Sequence, residues 1–238
     1  MKYYRIAGLQ VAMDSYGRTV DQATPYEIEP VEDVNIVIRS FAETLHQKHP
    51  LLSIDDCEYL ATGSSFYIQL MKYQGMMLHS SCVVVDDRAY LFTAPCGTGK
   101  STHTSLWLKK FGNRAFILND DKPALRLEEG VWYAYGTPWS GKHDISRNTR
   151  VPVGGIAIVE RSDDNEIIRY GGAEAIRFLL TQVVRPRGAE YTVALLELLD
   201  KLMTKVPIWK LKCNMEPDAA SVSFNAMSGN MMEDKNEA

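Results

Sequence analysis

The chain has 238 residues, 45% of them apolar and 24% charged, with a formal net charge of −4. That is enough chain for one well-buried α/β domain with a small appendage, and the composition is that of a globular protein rather than a fibrous or disordered one. The acidic balance argues against a nucleic-acid partner, and no apolar run is long enough to span a membrane.

The first five residues, Met1-Lys2-Tyr3-Tyr4-Arg5, lack the apolar core of a signal peptide, so a cytoplasmic location is expected. Cys57, Cys82, Cys96 and Cys213 form no Cys-x-x-Cys pair, which speaks against a zinc site or a disulfide framework.

In chain order, residues 6–11 and 35–38 read as strands, separated by a polar stretch with Gly17, Pro25 and Pro30. Phe66, Leu70, Tyr73 and Met77 recur at helical spacing and predict a helix over 65–77. These elements make up a small N-terminal region, 1–75, followed by a core domain over 76–228 and a disordered tail over 229–238. In the core, 80–85 and 89–93 read as strands joined by the tight link Asp86-Asp87-Arg88. A helix with Trp107/Phe111 and Thr104/Leu108 at i,i+4 spacing stops at Gly112, and 115–118 is a buried strand. Residues 124–127 and 131–135 flank Glu128-Glu129-Gly130 as a hairpin. The polar, aperiodic stretch 136–152 is a long loop of the kind that carries function. A strand over 153–159 follows, then a charged turn over 161–165 read as solvated. Helices over 173–184 and 190–205, a strand over 208–211 and a closing helix over 217–227 complete the chain.

Between strand and helix lies Ala94-Pro95-Cys96-Gly97-Thr98-Gly99-Lys100-Ser101, a P-loop pattern with Ala94 where the motif starts with Gly. Gly97 and Gly99 let the backbone curl so that successive N–H groups face phosphate oxygens. Lys100 reaches the β- and γ-phosphates, the Ser101 hydroxyl ligates Mg²⁺, and the helix N-terminus faces the anion. The candidate nucleotide-binding residues are therefore Cys96, Gly97, Thr98, Gly99, Lys100, Ser101 and Thr102. Cys96 reads either as a small residue that fits the turn or as an oxidation-sensitive thiol.

A second signal, Asn119-Asp120-Asp121, closes the strand after that helix, where an open α/β sheet binds its ligands. With one helix intervening, this strand and the loop's strand are expected to be sheet neighbours. One carboxylate would hold Mg²⁺, with Asp120 beside Ser101 the candidate ligand. The other would take the proton from an attacking hydroxyl; the division between Asp120 and Asp121 stays open. His79 precedes the strand pair and is a candidate phosphate or network contact, with a structural role as the alternative. In the loop Gly136-Thr137-Pro138-Trp139-Ser140-Gly141-Lys142-His143-Asp144, Lys142 is a candidate cation for the transferring phosphoryl, and the loop a platform for the acceptor.

The order His79, strand pair, P-loop, helix, strand, Asp-Asp resembles the catalytic domain of HPr kinase/phosphorylase, which shares its core with phosphoenolpyruvate carboxykinase. The motifs "LHSSCVVVDDRAYLFTAPCGTGKST" and "FILNDDKPAL" carry the likeness, over 78–127. The HPr enzyme has Glu after its P-loop Ser, where this chain has Thr102, and that enzyme's signature segment is replaced by the 137–142 loop. The chain therefore resembles the HPr-kinase-like branch that acts on serine and peptides more than the HPr enzyme itself. The resemblance implies an α/β fold with a mixed sheet, a P-loop core and a small N-terminal β-containing region. It implies ATP and Mg²⁺ as cofactors, with Lys100, Ser101, His79 and one of Asp120 and Asp121 at the site. It also implies a kinase acting on serine of a peptide or protein, and a homo-oligomer is compatible with it. Two alternatives stand beside it, a kinase of free serine or a sugar and a non-catalytic nucleotide-binding sensor or assembly protein.

Overall fold

The computed structural model describes residues 1–229. The elements run β1 (Lys2–Ile6), β2 (Leu9–Asp14), α1 (Gly17–Ala23), β3 (Glu27–Ile28), β4 (Ile36–Arg39), α2 (Ala42–Lys48), α3 (Ile54–Leu70) and β5 (Gly75–Met77). They continue with β6 (Ser80–Val85), β7 (Arg88–Thr93), α4 (Lys100–Phe111), β8 (Ala115–Asp121), β9 (Ala124–Glu128), β10 (Val131–Tyr135) and β11 (Arg150–Arg161). Last come β12 (Glu166–Arg169), α5 (Gly172–Leu179), α6 (Ala189–Lys205), β13 (Ile208–Cys213) and α7 (Asp218–Met227). The fold is mixed α/β. Among the described residues no helix is long and apolar enough to cross a membrane.

A four-stranded sheet, β3-β1-β2-β4, holds the N-terminal strands. The second sheet runs β5-β9-β10-β11-β7-β6-β8, with β13 pairing β11 and β12 pairing β13. It forks at β11: residues 150–152 pair with β10, 153–158 with β7 and 156–161 with β13. β7 and β8 are both antiparallel to β6, and β11 and β13 are parallel to β7. The carboxyl ends of β7, β8, β11 and β13 therefore meet at one edge, where the amino end of β6 also lies.

The central strands are covered on both faces, which is why they read as apolar runs without alternation. Cys82, Val84, Leu91, Ile156 and Ile158 pack with α5 and α6, through residues such as Leu179 and Leu199. Val83, Val85, Phe92, Ala157 and Val159 pack with α4 and α7, through Trp107 and Ala219. A third cluster joins the N-terminal sheet and α3 to Met77, Ala124, Tyr135 and Trp139, so the two sheets share apolar contacts.

Several expectations are corrected. Residues 6–11 are not one strand: the chain reverses at Ala7–Gly8, both at positive φ, and pairs β1 with β2. Arg126 Nη1 donates to the Ala7 carbonyl at 2.7 Å and fixes that turn. The helix expected over 65–77 is α3, which starts eleven residues earlier; Ser53 caps it by accepting from Asp56 N–H at 3.0 Å. It ends before a 3-10 turn and a left-handed Gln74, and Gly75–Met77 is a strand. The polar stretch after β2 contains α1, and α2 and β12 were not anticipated. The strand expected over 153–159 extends over Arg150–Arg161, and the helix expected over 173–184 is Gly172–Leu179. β8 is not adjacent to β7, because β6 lies between them. The tail expected to be disordered lies, from residue 230 onward, outside the described residues.

Candidate functional site

The loop after β7 turns through Gly97 at φ 77° and Gly99 at φ 118°, backbone that side-chain-bearing residues rarely adopt. No neighbouring heavy atom lies within 4 Å of where a Cβ would stand on either, so conformation rather than space demands glycine there. Gly99 is the N-cap of α4, and no side chain caps that helix. The first-turn N–H groups are thereby left facing a cleft of about 610 Å³. The cleft reaches from His79 and Asp121 on one side of the loop to Arg161 and Asn214 on the other. Its lining includes Cys96, Gly97, Thr98, Gly99, Lys100, Ser101 and Thr102, so the whole predicted loop faces one space.

Lys100 folds back: its ammonium donates to the Ala94 carbonyl at 3.0 Å and the Pro95 carbonyl at 3.4 Å. Burial lowers its pKa, against the opposing pull of Cys96, Asp121 and Asp120. Ser101 Oγ donates to Asp120 Oδ1 at 2.9 Å. That hydroxyl and carboxylate are the hard-oxygen donors Mg²⁺ takes from a protein when a nucleotide and water supply the rest. Among the described residues no three His, Cys, Asp or Glu side chains cluster round a common metal position. The residues present therefore fit a metal shared with phosphate rather than one enclosed by protein.

Asp121 is held by three donors. His79 Nε2 lies 3.3 Å from Oδ1, Tyr59 Oη donates to Oδ2 at 3.4 Å, and the Lys122 ammonium also donates to Oδ2. Burial pushes the carboxyl up, but the His79 hydrogen bond and the Lys122 charge outweigh it and hold the pKa at about 2. The Tyr59 hydroxyl accepts from Gly141 N–H at 2.9 Å and from Lys122 Nζ at 3.3 Å, so its own proton goes to Asp121. His79 is oriented in turn by Gln182: Nδ1 lies 3.1 Å from Oε1, and His79 N–H donates to the Gln182 carbonyl at 2.7 Å.

No family model matches the chain, and no curated protein matches it in sequence. Among solved structures it is similar to the HPr(Ser) kinase/phosphatase of Coxiella burnetii. The identity is 10% and the TM-score 0.36, over 63% of this chain and 95% of that one. At that level the likeness decides nothing about chemistry, which rests on the side chains themselves.

The structure brings His79, Lys100, Ser101, Asp120 and Asp121 to one cleft. Lys142 is exposed and does not line it, although Gly141 before it packs against Asp121; a Cβ there would stand 3.0 Å from that of Asp121. Within the loop read as a platform for the acceptor, Trp139 is fully buried, stacked on Phe66 at 4.9 Å between ring centroids, and donates to Thr62, so its ring faces the core. Sequence reasoning missed Tyr59, Lys122 and Arg161. Lys122 follows the Asp-Asp pair directly, and its position was the available signal. Tyr59 comes from α3, and only the tertiary fold brings it there. Arg161 was read as part of a solvated turn, yet its guanidinium donates to the Gly97 and Thr98 carbonyls.

Proposed function

We propose that the chain is an ATP- and Mg²⁺-dependent phosphotransferase that phosphorylates a hydroxyl, with serine of a peptide or protein as the acceptor. One observation carries this reading. A glycine loop, an uncapped helix N-terminus, a lysine, a Ser–Asp oxygen pair and a second aspartate converge on one cleft.

In this reading the loop N–H groups and Lys100 hold the triphosphate, with the ammonium moving from the Ala94 and Pro95 carbonyls to the β- and γ-oxygens. Ser101 and Asp120 would hold Mg²⁺, which when bound offsets charge on the β- and γ-phosphoryl oxygens. Asp121 accepts the proton of the acceptor hydroxyl as its oxygen bonds to the γ-phosphorus and the bond to ADP breaks. His79, Lys122 and Tyr59 keep that carboxylate ionised and oriented. Lys142, on the loop that packs Gly141 on Asp121, is the cation proposed to approach the transferring phosphoryl. Serine as acceptor rests on the sequence resemblance.

The deciding experiment is thermal stability with and without Mg-ATP, for wild type and Lys100→Ala. Ligand at 100 times Kd adds about 2.7 kcal/mol to the folded state. A shift in wild type that is lost in the variant supports the nucleotide site, and transfer of γ-phosphate to serine peptides then tests the reaction. No shift in wild type at millimolar nucleotide removes the reading. Binding without transfer to any acceptor leaves a nucleotide sensor in its place.

A further inference from the structure

β11 runs past the end of its neighbour. Its register with β7 stops where Ile158 faces Thr93, while its pairing with β13 continues to Arg161 opposite Cys213. Ser162 N–H extends that pairing by donating to the Cys213 carbonyl at 3.1 Å. The Arg161 backbone is therefore anchored at the level of the 94–99 loop. Its exposed guanidinium reaches across, donating from Nε to the Thr98 carbonyl at 3.0 Å and from Nη2 to the Gly97 carbonyl. Arginine suits this task, because its rigid planar fork presents two N–H groups to two adjacent acceptors in a fixed geometry, with less side-chain freedom to lose than a lysine ammonium on its flexible stem.

In a planar trans peptide the carbonyl and the following N–H point in opposite directions, and no peptide bond among the described residues is cis. Two carbonyls turned toward Arg161 thus turn the N–H groups of Thr98 and Gly99 away from it. Pro95 O takes the Thr98 N–H at 3.3 Å. The Gly99 N–H is left directed away from the guanidinium, beside the uncapped first turn of α4.

We infer that Arg161 is a positioning residue: it holds the 97–99 peptides in their anion-receiving conformation and so sets the affinity for a nucleotide's phosphates. The consequence for affinity rests on the nucleotide reading above; the holding of the loop does not.

Cys96 gives a direct readout, because it is exposed while Cys57, Cys82 and Cys213 are buried. The experiment compares wild type, Arg161→Ala and Arg161→Lys by the rate of Cys96 alkylation without ligand and by calorimetric Kd for Mg-ATP. In Arg161→Ala, alkylation should be several-fold faster and Kd weaker by about tenfold, the scale of one charge-assisted contact, with the melting temperature unchanged. Arg161→Lys should recover part of both. Equal alkylation in wild type and Arg161→Ala overturns the inference whether or not nucleotide binds. Faster alkylation with an unchanged Kd overturns its consequence for affinity. A wild type that binds no Mg-ATP, together with faster alkylation of the variant, removes the nucleotide reading and supports the holding of the loop.

Discussion

Ser101 Oγ and Asp120 Oδ1 meet at 2.9 Å although β6 separates the strand that feeds the loop from the strand that carries the aspartate. Helix α4 makes the junction. It packs across β6 and β8, so its first turn delivers Ser101 to the carboxyl end of β8. In the proposed reading, this geometry is the reason for giving the metal to Asp120 and the proton to Asp121. Asp120 faces the loop's hydroxyl, while Asp121 faces His79, Lys122 and Tyr59.

Asp120→Ala should abolish most of the gain in ATP affinity that Mg²⁺ confers. Calorimetry with Mg²⁺ and with EDTA checks this. Wild type should bind on the order of tenfold or more tightly with the metal, and the variant should show little difference, as expected when a metal-site partner is lost. A full magnesium effect in the variant would move the metal away from Asp120.

Asp121→Asn should leave the Kd for Mg-ATP within a few-fold of wild type and cut turnover by about 10²–10⁴, the range of a positioned base. The amide keeps the shape of the carboxylate but not the charge to which His79, Tyr59 and Lys122 donate, so the variant should also lose some stability, and turnover is compared at a temperature at which both proteins are folded. Turnover equal to wild type would remove Asp121 as the base.

Much of this site was legible because its chemistry is local in sequence. Gly97, Gly99, Lys100 and Ser101 fall within five residues, and Asp120-Asp121 closes the next strand. The apolar runs 80–85 and 89–93 declared the central strands because both their faces are buried. The N-terminal region was read less well. α3 carries polar and aromatic residues on faces that contact β4, β5 and α2, so its periodicity is weak before residue 65. The cap Ser53 with Asp56 three residues on is the local mark of its start. Tyr59 and Arg161 reach the site by tertiary placement, and no local pattern reports that. Trp139 is hidden for the opposite reason: it sits in a polar, aperiodic stretch that gives no sign of burial, yet it anchors the loop in the core beneath α3.

Trp139→Ala should therefore act on stability rather than on acceptor binding. The ring stacks on Phe66 and lies so close to α3 that a Cβ on Gly63 would stand 3.0 Å from it. Removing a buried aromatic of this kind costs about 3–5 kcal/mol. Urea unfolding should show that loss. A variant as stable as wild type, with acceptor affinity weakened, would restore Trp139 to the acceptor's side.

His103 should make the fold acid-sensitive above the range in which carboxylates titrate. Its ring is buried, and burial holds its pKa at about 4. Ser223 spends its proton on the Ala219 carbonyl at 2.9 Å and accepts from Trp107 Nε1 at 2.9 Å. His103 Nε2–H must therefore be the donor across the 2.9 Å contact with Ser223 Oγ. Nδ1 is left as the acceptor beside Cys213 Sγ at 3.7 Å, where a second proton would meet only a weakly accepting thiol sulfur. The unfolded chain takes that proton near the ordinary pKa of 6.5, before the folded one does. Stability should thus fall as pH drops from about 6.5 toward 4 and then level off, by on the order of 3 kcal/mol in all. Asp121 acts in a lower window: its folded pKa is depressed, so its contribution is lost only between about 3.8 and about 2. The check is the urea midpoint between pH 7 and 4.5 for wild type and His103→Gln, whose amide can still donate to Ser223. The variant should lose much of the acid slope. Equal slopes would mean that His103 is not the group that makes this fold sensitive to acid.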